Sequence, residues 1–167
     1  MQIWLDSRAS CFSVRFVESA HSAGGGAYYW ARQGGRGELK TVATIEARMG
    51  SSRLPGKVLL PAAGVPMIGH LVSRLLAVER IDEIVVATTT DRGDDVLEDW
   101  ASQNNVAIFR GSAHDVMGRV INAAKSVDAD LVVEITGDCP IIDPDVVDLG
   151  IRTFLANSVD YVSNVVV

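Results

Sequence analysis

Two short segments of this chain gather the side chains needed to hold a polyphosphate and a hard cation. The first runs Ala47-Arg48-Met49-Gly50-Ser51-Ser52-Arg53-Leu54-Pro55-Gly56-Lys57. Gly50 and Gly56 let backbone amides come close to an oxyanion, Ser51 and Ser52 add hydroxyl donors, and Arg48, Arg53 and Lys57 can neutralise several phosphate charges. The second is Thr136-Gly137-Asp138-Cys139-Pro140. Its carboxylate, preceded by glycine, suits magnesium, which binds through oxygen. By itself that segment reads equally as an Asp turn ahead of a helix. Taken together, Mg²⁺ on Asp138 facing Arg48 and Lys57 would grip a polyphosphate from both sides. Fixed positive charge of this kind stabilises a transferring phosphorus and its leaving group.

Familiar phosphate motifs do not fit the first segment. Gly56-Lys57 invites comparison with a P-loop, but five residues rather than four separate Gly50 from Gly56. Val58 also stands where a Ser or Thr would hold magnesium, and no G-x-G-x-x-G follows the preceding strand. No protein nucleophile is evident or needed. His70 and His114 read as surface or capping residues, and Cys139 as a small buried one.

The elements that must position these segments follow from periodicity. A β-branched stretch at 41–47 predicts a strand. Residues 66–78 put Met67, Ile68, Leu71, Leu75 and Val78 on one helical stripe. A second strand is expected at 83–88. A helix at 91–103 has acids in its first turn, favourable to its dipole, and an apolar set of Val96, Leu97 and Trp100. After a short strand at 106–109, Asp115 can cap a helix whose inner face is Met117, Val120, Ile121 and Ala124. A strand at 131–135 precedes Asp143-Pro144, a cap followed by proline at the first helical position. That helix should bury Val146, Val147, Ile151 and Phe154, and 161–167 opens a fifth strand. Alternating strands and helices predict an α/β fold with right-handed crossovers and a mostly parallel sheet. Ligands then bind beyond the carboxyl ends of the strands, where both segments fall.

Composition bounds the alternatives. The chain has 167 residues, 48% hydrophobic and 22% charged, with a formal net charge of −6, which excludes intrinsic disorder and fibrous classes. Its longest charge-free run, 58–73, contains Pro61 and Pro66 and is shorter than the roughly 20 residues of a membrane span. Cys11 and Cys139 alone support neither a disulfide framework nor a four-cysteine zinc site. The acidic balance argues against general nucleic-acid binding. Yet residues 47–78 carry Arg48, Arg53, Lys57 and Arg74 and no acid. A cationic island in an acidic domain points to a small anionic ligand. Residues 1–40 hold six of the fifteen glycines and follow no period, so they are expected to be a flexible extension or to reflect a start placed too far upstream. The apolar run at 165–167 reads as a half-finished strand, hence a fragment.

From Val42 through Asp160, about 120 of the 167 residues, the chain resembles the nucleotidyltransferases that make CMP-activated sugars. These are the CMP-acylneuraminate and CMP-deoxyoctulosonate synthetases and, most closely, the SpsF-type spore-coat polysaccharide cytidylyltransferases. The resemblance rests on the two segments above in the right order. It also rests on Ile84-Val85-Val86-Ala87-Thr88-Thr89-Thr90, Phe109-Arg110-Gly111-Ser112, and Asp115-Val116 with Arg119. It implies a three-layer α/β/α, Rossmann-like (GT-A-like) nucleotidyltransferase domain, incomplete on its C-terminal side, with residues 41–167 as the nucleotide-binding part.

The resemblance also implies roles. Arg48 and Lys57 would be the catalytic cations gripping the CTP phosphates, with Gly50, Ser51, Ser52 and Arg53 closing the loop. Arg110 and Thr136 would face the cytidine, and Asp138 would ligate Mg²⁺. A sugar or sugar-acid oxygen would attack the α-phosphate and pyrophosphate would leave, in surface or spore-coat polysaccharide biosynthesis. A cytoplasmic location is expected, without nucleic-acid or membrane partners. Family members continue past residue 167 into a segment that binds the sugar, adds an acidic metal ligand and forms a homodimer contact. Two alternatives stand beside this: a sugar-1-phosphate nucleotidyltransferase using another nucleotide, and an inactive nucleotide-binding module.

Overall fold

A computed structural model of the chain describes residues 3–4, 12–16 and 39–164. Its main sheet has seven strands: β1 (Ile3–Trp4), β2 (Phe12–Phe16), β3 (Thr41–Glu46), β6 (Glu83–Thr89), β7 (Ala107–Gly111), β8 (Leu131–Thr136) and β9 (Tyr161–Ser163). A small antiparallel pair, β4 (Pro61–Ala62) and β5 (Val65–Pro66), lies apart. Among the described residues there are four α-helices: α1 (Met67–Leu75), α2 (Asp95–Gln103), α3 (Val116–Lys125) and α4 (Pro144–Ala156).

Strand order is β1-β9-β2-β8-β3-β6-β7. Strands β8, β3, β6 and β7 are mutually parallel, as the helical crossovers require. The chain steps outward from β3 to β6 and β7, then returns through α3 to β8 on the other flank of β3. That reversal opens a crevice beyond the carboxyl ends of β3 and β8. In register, Ile45 sits between Val86 and Ile135, and Glu46 beside Thr136, so both loops leave the sheet side by side.

Both faces of the parallel strands are apolar because both are covered. On one face Ala43, Ile45, Val133 and Ile135 pack with Ile68, Leu71 and Leu75 of α1, Leu97 of α2, and Val147 and Ile151 of α4. On the other, Val42, Val85, Ala87 and Val132 meet Val120, Ala123 and Ala124 of α3. Burying each large aliphatic side chain contributes about 1.5–3 kcal/mol. The caps form as expected: Asp115 accepts from the Gly118 amide at 2.8 Å and Asp143 from the Asp145 amide at 3.0 Å.

Three expectations are corrected. Phe12–Phe16 is not an extension outside the domain but a strand antiparallel to β8 and β9. Its Phe12 and Val14 alternate with Ser13, so both reach the core. The rest of residues 1–40, including the glycine-rich part, and residues 165–167 lie outside the described residues, apart from Ile3–Trp4 and 39–40. Second, α3 buries Arg119, Val120, Ala123 and Ala124, while Met117 and Ile121 are 42% and 36% exposed. Its small residues let the helix sit close to the sheet, turned from the face that bulk alone suggests. Third, α2 buries Leu97 and Ala101 and leaves Val96 exposed. Among the described residues no helix is long and apolar enough to cross a membrane.

Candidate functional site

The loop after β3 closes on itself around one peptide. The Met49 carbonyl accepts from the amides of both Ser51 and Gly56 at 2.9 Å. Gly56 has φ +71°, a left-handed conformation that favours glycine. A short 3-10 turn, Lys57–Leu59, then points the chain back toward α1. The loop after β8 is drawn against β3 by the Gly137 amide, which donates to the Glu46 carbonyl at 2.8 Å. Any Cβ at position 137 would lie 2.6 Å from that carbonyl oxygen, so only glycine allows so close an approach.

The two loops enclose a cavity of about 300 Å³. Arg48, Ser51, Ser52, Arg53 and Lys57 line it from the first loop, and Thr136, Gly137 and Asp138 from the second. Glu46 and Ala47 form part of its wall, and Val116 and Arg119 of α3 another. Lys57 Nζ donates to Asp138 Oδ2 at 2.6 Å, directly across the crevice. That ammonium, against the opposing effect of partial burial and helped by the Thr136 side chain, holds the Asp138 carboxyl below its ordinary range.

Seven of the nine sequence-predicted site residues thus meet in one place. Gly50 and Arg110 do not line the cavity. Nothing lies within 4 Å of a Cβ added at Gly50, so crowding does not demand glycine there. Arg110 points toward α2, where its guanidinium pairs with Asp95 and Glu98 at 2.7 Å and donates to the Thr89 and Asp91 carbonyls at 2.9 Å. Cys139 is half-buried, not buried, with its Sγ 3.3 Å from Thr136 Oγ1. His114 is exposed, and His70 Nε2 lies 2.7 Å from the Ala62 carbonyl, away from the cavity.

Two residues that the sequence reading did not assign to the site belong with it. Arg119 is 4% exposed and donates from Nε to the Ala87 carbonyl and from Nη1 to the Ser112 carbonyl. Among the described residues no carboxylate pairs with it. Its signal in the sequence was a cation four residues after the Asp115 cap, one turn into the helix. Asp94 is 2% exposed beneath the first loop and accepts from the Met49 amide at 2.7 Å. Burial opposes ionisation there, but hydrogen bonds from Thr89, Met49 and Thr88 outweigh it and hold the carboxyl below its ordinary value. In the sequence Asp94 is one acid among several at a helix start, with nothing to mark it.

The donor set suits a magnesium ion that arrives with phosphate oxygens, not one held by protein alone. Among the described residues no group of three or more His, Cys, Asp or Glu side chains could hold a metal. One carboxylate at a strand end, as Asp138 supplies, is nevertheless what Mg²⁺ commonly takes from a protein when substrate phosphates complete its shell.

Comparison with known proteins agrees with this architecture. A family profile described as cytidylyltransferase matches residues 42–167. The Bacillus subtilis spore coat polysaccharide biosynthesis protein SpsF is 35% identical over 121 residues, covering 70% of this chain and 50% of its own. A solved cytidylyltransferase from Leptospira borgpetersenii superposes with a TM-score of 0.68 at 42% identity, covering 72% of this chain and 50% of that one. A CMP:2-keto-3-deoxy-manno-octonic acid synthetase solved with CTP gives 0.61 at 32% identity, covering 71% and 48%. The chain spans about half the length of the curated relatives it matches.

Proposed function

The chain belongs to the cytidylyltransferase family, and on that premise we propose that its cavity binds the triphosphate of CTP. In the whole protein this leads to transfer of CMP to a hydroxyl of a sugar or sugar acid. The observation that carries the reading is the Lys57–Asp138 contact at 2.6 Å, which brings a cation able to meet phosphate and a carboxylate able to hold a metal to the two lips of one crevice. The named relatives, a CTP complex of a sugar-acid synthetase among them, support cytidine and a sugar-acid acceptor over other pairings.

The chemistry asked of these residues is positioning and charge compensation. The acceptor oxygen attacks the α-phosphorus in line, forming the new P–O bond. The bond from that phosphorus to the α,β-bridging oxygen breaks, and pyrophosphate leaves. Lys57, Arg48 and Arg53 neutralise charge on the β- and γ-phosphates, where it accumulates as the bond breaks. The hydroxyls of Ser51 and Ser52 donate to phosphate oxygens. Arg119, fixed by two carbonyls, supplies positive charge from the α3 wall without having to reorganise. Asp138 would hold Mg²⁺, which when bound adds charge neutralisation of the same kind.

Calorimetric titration of CTP with Mg²⁺ into the protein and into Lys57→Ala tests the reading. Loss of one charge-assisted contact of about 1.5–3 kcal/mol should weaken binding by roughly 10–150-fold. Unchanged affinity in Lys57→Ala removes the hypothesis. Parallel titrations with UTP, GTP and ATP decide the base, and pyrophosphate release measured beside binding separates an enzyme from a module that only binds.

A further inference from the structure

Asp94 holds a buried charge with no cation beside it among the described residues. Instead its two oxygens are met by four donors. Three converge on Oδ2 from the end of β6: the Thr88 hydroxyl at 3.0 Å, the Thr89 amide at 3.1 Å and the Thr89 hydroxyl. The fourth comes to Oδ1 from 45 residues earlier in the chain, the Met49 amide at 2.7 Å. A buried carboxylate needs every donor it can find. Met49 is also the residue whose carbonyl gathers the Ser51 and Gly56 amides, so whatever fixes Met49 restrains the turn on both sides of its Cα.

We propose that Asp94 is a positioning residue that docks the 48–57 loop in its ligand-ready form and so sets nucleotide affinity without touching the nucleotide. The functional half of this statement rests on the reading of the cavity as a CTP site. The structural half does not. Docking is coupled to the carboxylate's charge: when the loop lifts, Asp94 loses the Met49 amide, the donor that meets its Oδ1.

The asymmetry of the donors makes one substitution selective. In Asp94→Asn a single oxygen remains to accept. The two hydroxyls can reverse and accept from an NH₂, but the Thr89 and Met49 amides only donate, so the oxygen serves one of these two. Thr89 is held in the sheet and cannot draw back, so the oxygen stays with it and the NH₂ faces the Met49 N–H. Two donors then oppose each other at hydrogen-bond distance, and the loop is released while the end of β6 is kept. Thr88→Val stresses the same carboxylate but leaves the Met49 bond in place.

Amide hydrogen exchange on the full chain without ligand, followed by CTP titration with Mg²⁺, tests the proposal. In Asp94→Asn the Met49, Ser51 and Gly56 amides should exchange about tenfold faster or more, with the β3 and β6 amides unchanged. CTP should bind about tenfold more weakly. In Thr88→Val the loop should stay protected. Exchange that rises uniformly through β3 and β6 makes Asp94 a general core residue and overturns the proposal, as does a loosened loop with undiminished CTP affinity. If Asp94→Asn does not fold, Asp94→Glu, which keeps both acceptors, takes its place; a loop as protected as in the wild type, together with weakened CTP binding, then counts against the anchor. If the wild-type chain binds no CTP, the functional reading fails, and the exchange rates judge the anchor alone.

Discussion

Replacing Asp138 by Asn should change nucleotide affinity in opposite directions with and without magnesium. In the free protein Asp138 occupies Lys57 at 2.6 Å, with the carboxylate side chain 47% and the lysine 29% exposed. Before Lys57 can reach a phosphate, this pair must open. A pair so exposed is worth about 0–1 kcal/mol after solvent screening. Opening it therefore costs the incoming triphosphate at most a factor of about five. The carboxylate also repels the phosphates, by about 1 kcal/mol per unit charge at 4 Å in water. In Asp138→Asn both penalties vanish, so metal-free CTP in excess EDTA should bind several-fold tighter than to the wild type. With millimolar Mg²⁺ the wild type should gain a metal ligand that the amide would replace poorly, and the variant should bind about tenfold more weakly or worse. Isothermal titration in the two buffers reads both numbers. Affinity falling in both, or unchanged in both, would refute the assignment of Asp138 as the carboxylate that exchanges Lys57 for a metal ion.

Other outcomes follow from the same contacts. Gly137→Ala forces a Cβ to within 2.6 Å of the Glu46 carbonyl, so the backbone must shift and about 1–3 kcal/mol of stability should go, read as a melting temperature lower by several degrees; an unaltered melt would mean the two loops are not so closely joined. Arg110→Ala should leave CTP affinity unchanged, because its guanidinium is committed to Asp95, Glu98 and two carbonyls outside the cavity; a large loss would return Arg110 to the cytidine side. Asp94, with its folded pKa depressed, contributes stability that is present above its unfolded value of 3.8 and disappears as pH falls through the lower folded value. The gap in loop-amide protection between wild type and Asp94→Asn should thus be wide near neutrality and narrow as pH drops below about 4. A gap independent of pH would show that ionisation of Asp94 is not what stabilises.

The parallel strands and the two loops were legible because composition alone marks them. Short β-branched runs alternating with helical stripes favour buried strands. A loop with three cations and no acid is conspicuous in an acidic chain. The long-range pair Lys57–Asp138 followed from topology, since parallel strands send both loops to the same edge. What stayed hidden depends on which way a side chain turns. Arg110 and Phe109 are neighbours on β7, and only the register of that strand decides which faces α2 and which α3. Arg119 carried part of the resemblance but was not placed in the site, because the apolar face of α3 was read from bulk, when Val120, two alanines and a buried guanidinium form it. Phe12–Phe16 was lost among residues without period, although its Phe-Ser-Val alternation fits a half-buried strand.

The charges that line the cavity are balanced largely within the protein. Four cations, Arg48, Arg53, Lys57 and Arg119, face two carboxylates, Glu46 and Asp138, in a protein whose overall charge is −6. Left uncompensated, such an excess would repel itself and strain the loop that carries three of the four. Exposure relieves Arg48 and Arg53, the Ala87 and Ser112 carbonyls solvate Arg119, and Asp138 neutralises Lys57. Only the last of these is a full charge pair, and on the proposed reading it is the one that ligand entry would break. A triphosphate accompanied by a divalent cation offers each partner its replacement, an anion for Lys57 and a cation for Asp138. On the proposed reading the exchange would proceed at nearly constant local charge, with a screened surface pair as its main electrostatic cost. A triphosphate alone satisfies only Lys57 and leaves Asp138 exposed to repulsion, and a divalent ion alone does the reverse. Each should therefore strengthen the binding of the other, and by equal factors, because the coupling between two ligands at one protein is reciprocal.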